Sequence, residues 1–137
     1  MKLEQQVATF EQSKKLKELG IGFESLFSYS WDWLCQPESD SILILTDVVA
    51  RSWCSYPAPT AEEIAELLPA LIQSNEKYNL ECDKQYGLWV VRYRNPNTNN
   101  KLKDKYFDNK SLTQALANML IWLIENKHIN PKELNGK

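Results

Sequence analysis

Few residues in this chain combine the type and the spacing that catalysis or metal binding requires. Nucleophilic catalysis would depend on His128, the single histidine, which follows the apolar part of a predicted helix, and the chain contains no Gly-x-Ser-x-Gly motif. The three cysteines, Cys35, Cys54 and Cys82, form no Cys-x-x-Cys pair, whereas a structural zinc site needs about four nitrogen or sulfur ligands. The sequence therefore predicts no catalytic residue, no metal site and no cofactor.

The most closely spaced acidic residues also have a structural explanation. Glu62, Glu63 and Glu66 occupy the first turns of a predicted helix, where carboxylates complement the positive end of the helix dipole. The chain has four glycines, and none of them belongs to a sequence pattern that cradles phosphate. These observations predict a protein that is not an enzyme.

The composition is that of an ordinary globular domain. The 137 residues are 43% hydrophobic and 25% charged, and the formal net charge is −2. Nucleic-acid binders usually carry a basic excess, so nucleic acid is not the expected partner. No apolar run approaches the roughly 20 residues that span a bilayer, and widely spaced cysteines are typical of reduced thiols. We therefore expect a cytoplasmic protein with no membrane contact.

Three helices are predicted from capping boxes and apolar stripes. The capping pairs are Thr9 with Gln12, Thr60 with Glu63, and Ser111 with Gln114. Gly20 is placed to end the first helix, Pro69 to stop or kink the second near Leu68, and the third should run to about Lys127. The second helix has the stripe Ile64, Leu67, Leu68 and Leu71, and the third has Leu112, Leu116, Met119, Leu120 and Leu123.

Alternating and apolar segments predict the strands. Residues Leu26–Trp33 place aromatic side chains on one face and polar ones on the other, which predicts a half-buried strand. Ile42–Thr46 is typical of a central strand covered on both faces, or of a short helix, and residues 47–55 have no decisive pattern. The remaining segments are a hairpin formed by Tyr78–Asp83 and Leu88–Arg94, and a short strand at Tyr106 and Phe107.

The last helix is apolar around most of its circumference. Ile121 lies about 160° from Leu123 on the helical wheel, so one sheet cannot cover both side chains. Ala117, Ile121 and Trp122, together with Trp53, are therefore the candidate interaction surface. Four kinds of cover are open: the N-terminal helix, the segment around Trp53, a second copy of the chain, or a different protein.

Several segments, taken in order, carry a resemblance to a known family. They are Glu11–Gly20, the aromatic strand after it, Tyr56–Thr60 with the helix ending at Leu67-Leu68-Pro69, Gly87–Val91, and Ala115–Lys127. In this order they resemble a family of small proteins of unknown role from phages, prophages and mobile elements of gut Bacteroidetes. The helix–hairpin–helix part is also similar to phage α/β sandwich domains. The resemblance implies a phage or prophage origin and assigns no catalytic residue.

The predicted fold class is α+β, with a mainly antiparallel sheet packed by two amphipathic helices in a two-layer sandwich and a short N-terminal helix. We expect a single domain over residues 1–137. Its parts are the N-terminal helix in 1–22, strands in 23–56 and a helix–hairpin–helix unit in 60–127.

The expected function is that of a non-enzymatic, phage- or prophage-derived accessory protein. It would contact another protein, either a second copy of itself or a host or phage protein. Two alternatives remain open. A nucleic-acid-binding accessory protein would use Lys101, Lys103, Lys105, Arg92 and Arg94, and a small-molecule binder would use an aromatic pocket lined by Trp31, Trp33 and Trp89.

Overall fold

The computed structural model of the chain describes residues 2–32, 34, 37–49 and 53–134. Within these residues the helices are α1 Leu3–Gln6, α2 Phe10–Glu18, α3 Ala61–Leu67, α4 Leu112–Glu125 and α5 Pro131–Leu134. The strands are β1 Phe27–Trp31, β2 Ile42–Leu45, β3 Cys54–Pro57, β4 Leu71–Gln73, β5 Lys77–Gln85, β6 Leu88–Arg94 and β7 Lys101–Asn109. They form a three-stranded sheet, β2-β1-β3, and a four-stranded sheet, β4-β5-β6-β7. All paired strands are antiparallel, which confirms the α+β class.

Helices α2 and α3 begin as their capping boxes predict. In α2 the Thr9 side chain accepts from the Gln12 N–H and the Gln12 side chain accepts from the Thr9 N–H. Thr60 and Glu63 make the same reciprocal pair at the start of α3. Gly20 follows α2 with a φ of +91°, a left-handed conformation that glycine adopts without a steric penalty.

Helix α3 is shorter than its predicted stripe. It ends at Leu67, with Leu68 already extended, because Pro69 lacks the N–H that would continue the helical hydrogen bonds. The prediction that Leu71 extends the helical stripe is therefore wrong. Leu71 begins β4 instead and is 47% exposed.

The start of α4 has half of the predicted capping box. The Ser111 side chain accepts from the Gln114 N–H at 3.2 Å, as expected. The Gln114 side chain, however, donates to the Glu4 carbonyl at 3.1 Å, and the Ser111 N–H is bound by the Asn109 side chain. The Gln114 side chain therefore binds α1, and not the backbone of Ser111 as the capping-box pattern predicts.

The β5–β6 hairpin forms in the predicted place and closes in two residues. Gln85 pairs with Leu88, and the residues between them, Tyr86 and Gly87, have φ values of +51° and +80°. Positive φ at both central positions is the geometry of a type I′ turn, which matches the twist of a hairpin. The predicted last strand at Tyr106 is also present, within the longer β7.

The three-stranded sheet departs from the sequence prediction in two respects. The polar face of β1 is not solvated, since Ser28 and Ser30 are as buried as Tyr29 and Trp31. The placement of Ile42–Thr46 as a central strand is wrong, because β2 lies at the edge of the sheet beside β1. An apolar run does not by itself distinguish an edge from a centre.

The main core lies between helices α2, α3 and α4 and the inner face of the four-stranded sheet. Helix α4 packs against α2, α3, β6 and β7, and four of its five stripe residues are buried as predicted, whereas Leu112 is half-buried. Core residues from these elements include Leu16, Ile64, Leu68, Val91, Tyr93, Leu116, Met119, Leu120 and Leu123. A smaller cluster of Val7, Tyr29 and Ala58 lies against the three-stranded sheet.

Residues 5–8, the end of α1 and the turn that follows it, connect the two parts of the fold. On one side Ser111 Oγ donates to the Gln5 carbonyl at 2.6 Å, at the start of α4. On the other side Tyr29 Oη donates to the Ala8 carbonyl at 2.7 Å, and the Ala8 N–H donates to the Pro59 carbonyl. Hydrogen bonds from both directions therefore hold this short segment in place.

Candidate functional site

The four-stranded sheet buries one face and leaves the other without a helix over it among the described residues. Tyr78, Val91 and Tyr93 point into the core. Because side chains alternate along a strand, their neighbours project from the opposite side. We call this side the open face, defined by Glu81, Asp83, Leu88, Val90, Arg92, Arg94 and Tyr106. It surrounds a shallow depression of about 610 Å³.

Two arginines of β6 are held by two carboxylates of β5 on the open face. Arg92 donates through Nη1 and Nη2 to the two oxygens of Asp83, at 3.2 and 2.9 Å. Arg94 donates through Nε and Nη2 to the two oxygens of Glu81, at 2.8 and 2.7 Å. Each pair is bidentate, the geometry that fixes the orientation of a guanidinium group most firmly.

The register of the hairpin explains how these pairs form. Glu81 lies directly opposite Arg92, yet each arginine bonds one diagonal step along the partner strand, Arg92 to Asp83 and Arg94 to Glu81. Arg92 also keeps a contact of 3.3 Å to Glu81, so the four charges form one connected network. Hydrogen bonds from Arg94 lower the pKa of Glu81, and those from Arg92 lower the pKa of Asp83.

Apolar and aromatic side chains flank the arginines on the open face. Leu88 and Val90 are half-buried toward the β5–β6 turn, and Tyr106, which is 51% exposed, lies directly opposite Arg92 on β7. The Lys101 ammonium lies 5.4 Å from the Tyr106 ring centroid, within cation–π range. The open face therefore combines an exposed tyrosine and aliphatic side chains with oriented arginines.

The basic residues proposed for nucleic-acid binding do not form one free cationic patch. Arg92 and Arg94 are bound to carboxylates. Lys105 lies 4.9 Å from the ring of Phe107, which pairs with the buried Val91, whereas Lys101 lies over Tyr106 on the open face. Lysine side chains on β7 thus point in different directions.

The tryptophans proposed to line one pocket lie on different sheets. Trp31 belongs to β1 and its ring packs 5.0 Å from that of Tyr56, whereas Trp89 belongs to β6 and contacts Lys84. Trp33 lies outside the described residues. A different aromatic groove forms where Trp53 joins Trp31 and Tyr56 beside Lys17.

The four residues of the predicted interaction surface do not lie together. Ala117 has no accessible surface and belongs to the main core, so it cannot contribute to a contact surface in this fold. Ile121 and Trp122 are half-buried against the main core, and the Trp122 ring stacks 5.2 Å from that of His128. Trp53 lies on the three-stranded sheet.

Sequence reasoning named Arg92 and Arg94 but missed the acidic residues that bind them. The predicted hairpin already contained the pattern that indicates these ion pairs, since Glu81 and Asp83 occupy alternate positions of the strand that faces Arg92 and Arg94. Only the tertiary structure shows which carboxylate each arginine reaches. A register shift of one residue would move every side chain to the other face, and each bidentate pair lies one diagonal step from the directly opposite residue.

Other chemistry is limited in the part of the chain that the structure describes. Across these residues, no three histidine, cysteine, aspartate or glutamate side chains are grouped to hold a metal ion. Burial, together with the charge of Lys103, lowers the pKa of His128, which stacks on Trp122. In the same residues no helix has the length and apolar character needed to cross a membrane.

Comparison of the chain with protein-family models, with curated proteins and with solved structures found no match.

Proposed function

We propose that this chain is a non-enzymatic accessory protein that binds another protein through its open face. The observation that carries the proposal is the pair of bidentate arginines, Arg92 and Arg94, beside the exposed Tyr106. Tyrosine and arginine are, with tryptophan, the residues enriched at the energetic centres of protein interfaces. Holding the guanidinium groups in advance reduces the side-chain entropy that binding would otherwise cost.

The charge balance of the open face favours a protein partner over a polyanion. Glu81 and Asp83 neutralise the two arginines, so a phosphate backbone would meet carboxylates as well as guanidinium groups. The half-buried Leu88 and Val90 add apolar area that a protein surface can cover. We therefore infer a partner with a mixed apolar and polar contact surface.

The setting we propose is the cytoplasm of a bacterium that carries a phage or prophage. The phage or prophage origin rests on the family resemblance of the helix caps and core segments. The cytoplasmic location is supported by Cys54 and Cys82, which are exposed free thiols, as expected in a reducing compartment.

A capture experiment with matched variants tests the open face. The chain is used to capture proteins from a bacterial lysate, and the recovered protein is then purified and titrated against wild type, Tyr106→Ala and Glu66→Ala. Glu66 is exposed on α3, in the other layer. We expect Tyr106→Ala to raise Kd by about tenfold, as for a central interface residue, and Glu66→Ala to leave it unchanged.

Two results would overturn the proposal. Equal Kd values for wild type and Tyr106→Ala would remove the open face from the interface. Recovery only of material that a nuclease destroys would replace the protein partner with nucleic acid.

A further inference from the structure

The three-stranded sheet has an edge whose backbone groups point outward. The Thr46 N–H, just after β2, donates to the Leu26 carbonyl at 2.7 Å. Antiparallel ladders alternate, so the neighbouring Leu45 directs its N–H and C=O away from β1, and Leu43 does the same. Among the described residues nothing pairs with this edge of β2.

The side chains of β2 are unusual for an edge strand. All four are aliphatic, and Ile42 and Leu45 are 46% and 51% exposed. Edge strands in monomeric proteins usually carry charge, proline or a bulge, because a flat apolar edge pairs with other chains. Strand β2 has none of these features.

The other sheet edges in the described residues do have such protection. The edge strand β7 carries three lysines in Lys101–Lys105, and positive φ at Lys103 and Asp104 distorts it. On β3, helix α2 packs alongside, and Lys17 Nζ donates to the Ser55 carbonyl at 3.1 Å. Strand β2 is short as well, but β4 is one residue shorter and one of its three side chains is the polar Gln73, whereas all four of β2 are aliphatic. The contrast singles out β2 as the strand that is able to accept a partner.

We propose that the chain self-associates through β2, which pairs antiparallel with β2 of a second copy and joins two sheets into one of six strands. A two-fold axis at Ile44 places Ile44 opposite Ile44 of the second copy and Leu43 opposite Leu45. In this register the outward groups of Leu43 and Leu45 exchange about four N–H···O bonds across the axis.

The register favours a second copy as the occupant because the strand complements itself. Each cross-strand pair formed by Leu43, Ile44 and Leu45 is aliphatic, and such pairs stabilise a sheet. Two features limit the strength of this pairing. Asp40 and Asp47 flank the strand, and antiparallel pairing brings Asp40 of one copy toward Asp47 of the other at each end, where the like charges repel. A four-residue strand also covers far less than the roughly 1,600 Å² of a standard interface, so the dimer is weak.

The sharpest test is Leu45→Pro. Leu45 has φ −61° and ψ 134°, which a proline adopts without strain, and its N–H points away from β1. The substitution therefore removes one outward donor and leaves the β1–β2 ladder intact. In sedimentation velocity over a range of protein concentrations, we expect wild type to dimerise and Leu45→Pro to raise the dimer Kd by at least about tenfold.

A charge-based pair of variants provides the control. Leu45→Lys and Leu71→Lys change leucines of similar exposure, 51% and 47%, on edge strands of different sheets. We expect Leu45→Lys to abolish the dimer and Leu71→Lys to leave it unchanged, with circular dichroism confirming that both are folded. If Leu45→Pro does not fold, this pair still decides the question.

Three outcomes would overturn the proposal. Wild type that remains monomeric at a protein concentration of about 1 mM would show that β2 does not self-associate. A dimer that Leu45→Lys leaves intact, or that Leu71→Lys disrupts equally, would assign the interface to another surface.

Discussion

The side-chain amide of Gln12 in α2 donates to the side-chain oxygen of Asn118 in α4 at 2.7 Å and to the Gln114 carbonyl at 2.9 Å. The same side chain accepts the Thr9 N–H through its oxygen, so one buried glutamine both caps α2 and ties it to α4. Helix α2 thus packs along the side of α4 that carries Gln114, Asn118 and Glu125.

Gln12→Glu separates these two roles. The glutamate keeps an oxygen for the cap but loses both N–H donors and faces two acceptors, Asn118 Oδ1 and the Gln114 carbonyl. We expect a loss of about 1–3 kcal/mol in the free energy of unfolding, measured with urea. Glu63→Gln in the α3 capping box keeps its acceptor and should change stability by less than about 0.5 kcal/mol. Equal losses for the two variants would show that the contacts to α4 contribute nothing.

Leu116→Ala tests the packing of α4 on the sheet. Leu116 is 3% exposed within the main core, so its truncation should leave a cavity that costs about 2–5 kcal/mol in denaturant unfolding. Leu71→Ala, at an exposed edge, should cost less than about 1 kcal/mol. A loss below about 1 kcal/mol for Leu116→Ala would mean that the stripe does not pack as described.

The arginine network predicts how stability depends on acid. The pKa values of Glu81 and Asp83 lie below their ordinary values of 4.5 and 3.8, so the folded state binds fewer protons than the unfolded state in this range. Their contribution is present above the ordinary values and is lost as the pH falls toward and through the lowered ones. Glu81→Gln should therefore destabilise the protein near neutral pH, and the difference from wild type should shrink as the pH falls below about 4.5. A difference that stays constant across the acid range would contradict the pairing.

Ile121→Glu tests whether the chain covers its own last helix. Ile121 is half-buried and packs against the main core, so a carboxylate there should lower Tm by several degrees, measured by calorimetry. Leu71→Glu makes the same kind of change at an exposed site and should leave Tm nearly unchanged. An unaltered Tm for Ile121→Glu, with an unaltered mass by light scattering, would show that Ile121 is open to solvent.

Charge reversal of β7 tests the nucleic-acid alternative. Because Lys101, Lys103 and Lys105 do not share one face and the nearby arginines are paired, we expect no specific DNA or RNA binding at physiological salt. Fluorescence anisotropy with labelled oligonucleotides measures this directly. Micromolar binding that weakens with salt and disappears when all three lysines become glutamate would overturn the expectation.

Signals that act within one turn of the chain were sufficient to predict the local elements. Thr9 and Thr60 mark helix starts because a cap bonds only three residues ahead, and Pro69 ends α3 because it lacks one N–H. The stripe of α4 likewise predicts its buried face from periodicity alone. These features depend on covalent neighbours, so the sequence determines them.

Relationships between distant segments were decided by the tertiary structure. The Gln114 side chain does not bond to the N-cap backbone as predicted but donates to the Glu4 carbonyl, 110 residues away. Strand β2 lies at a sheet edge although its sequence is typical of a central strand. The pairing of Arg92 with Asp83 required the hairpin register as well as the hairpin itself. The sequence specifies which groups are able to bond, whereas the packing of the whole chain selects among distant partners whose local signals are equivalent.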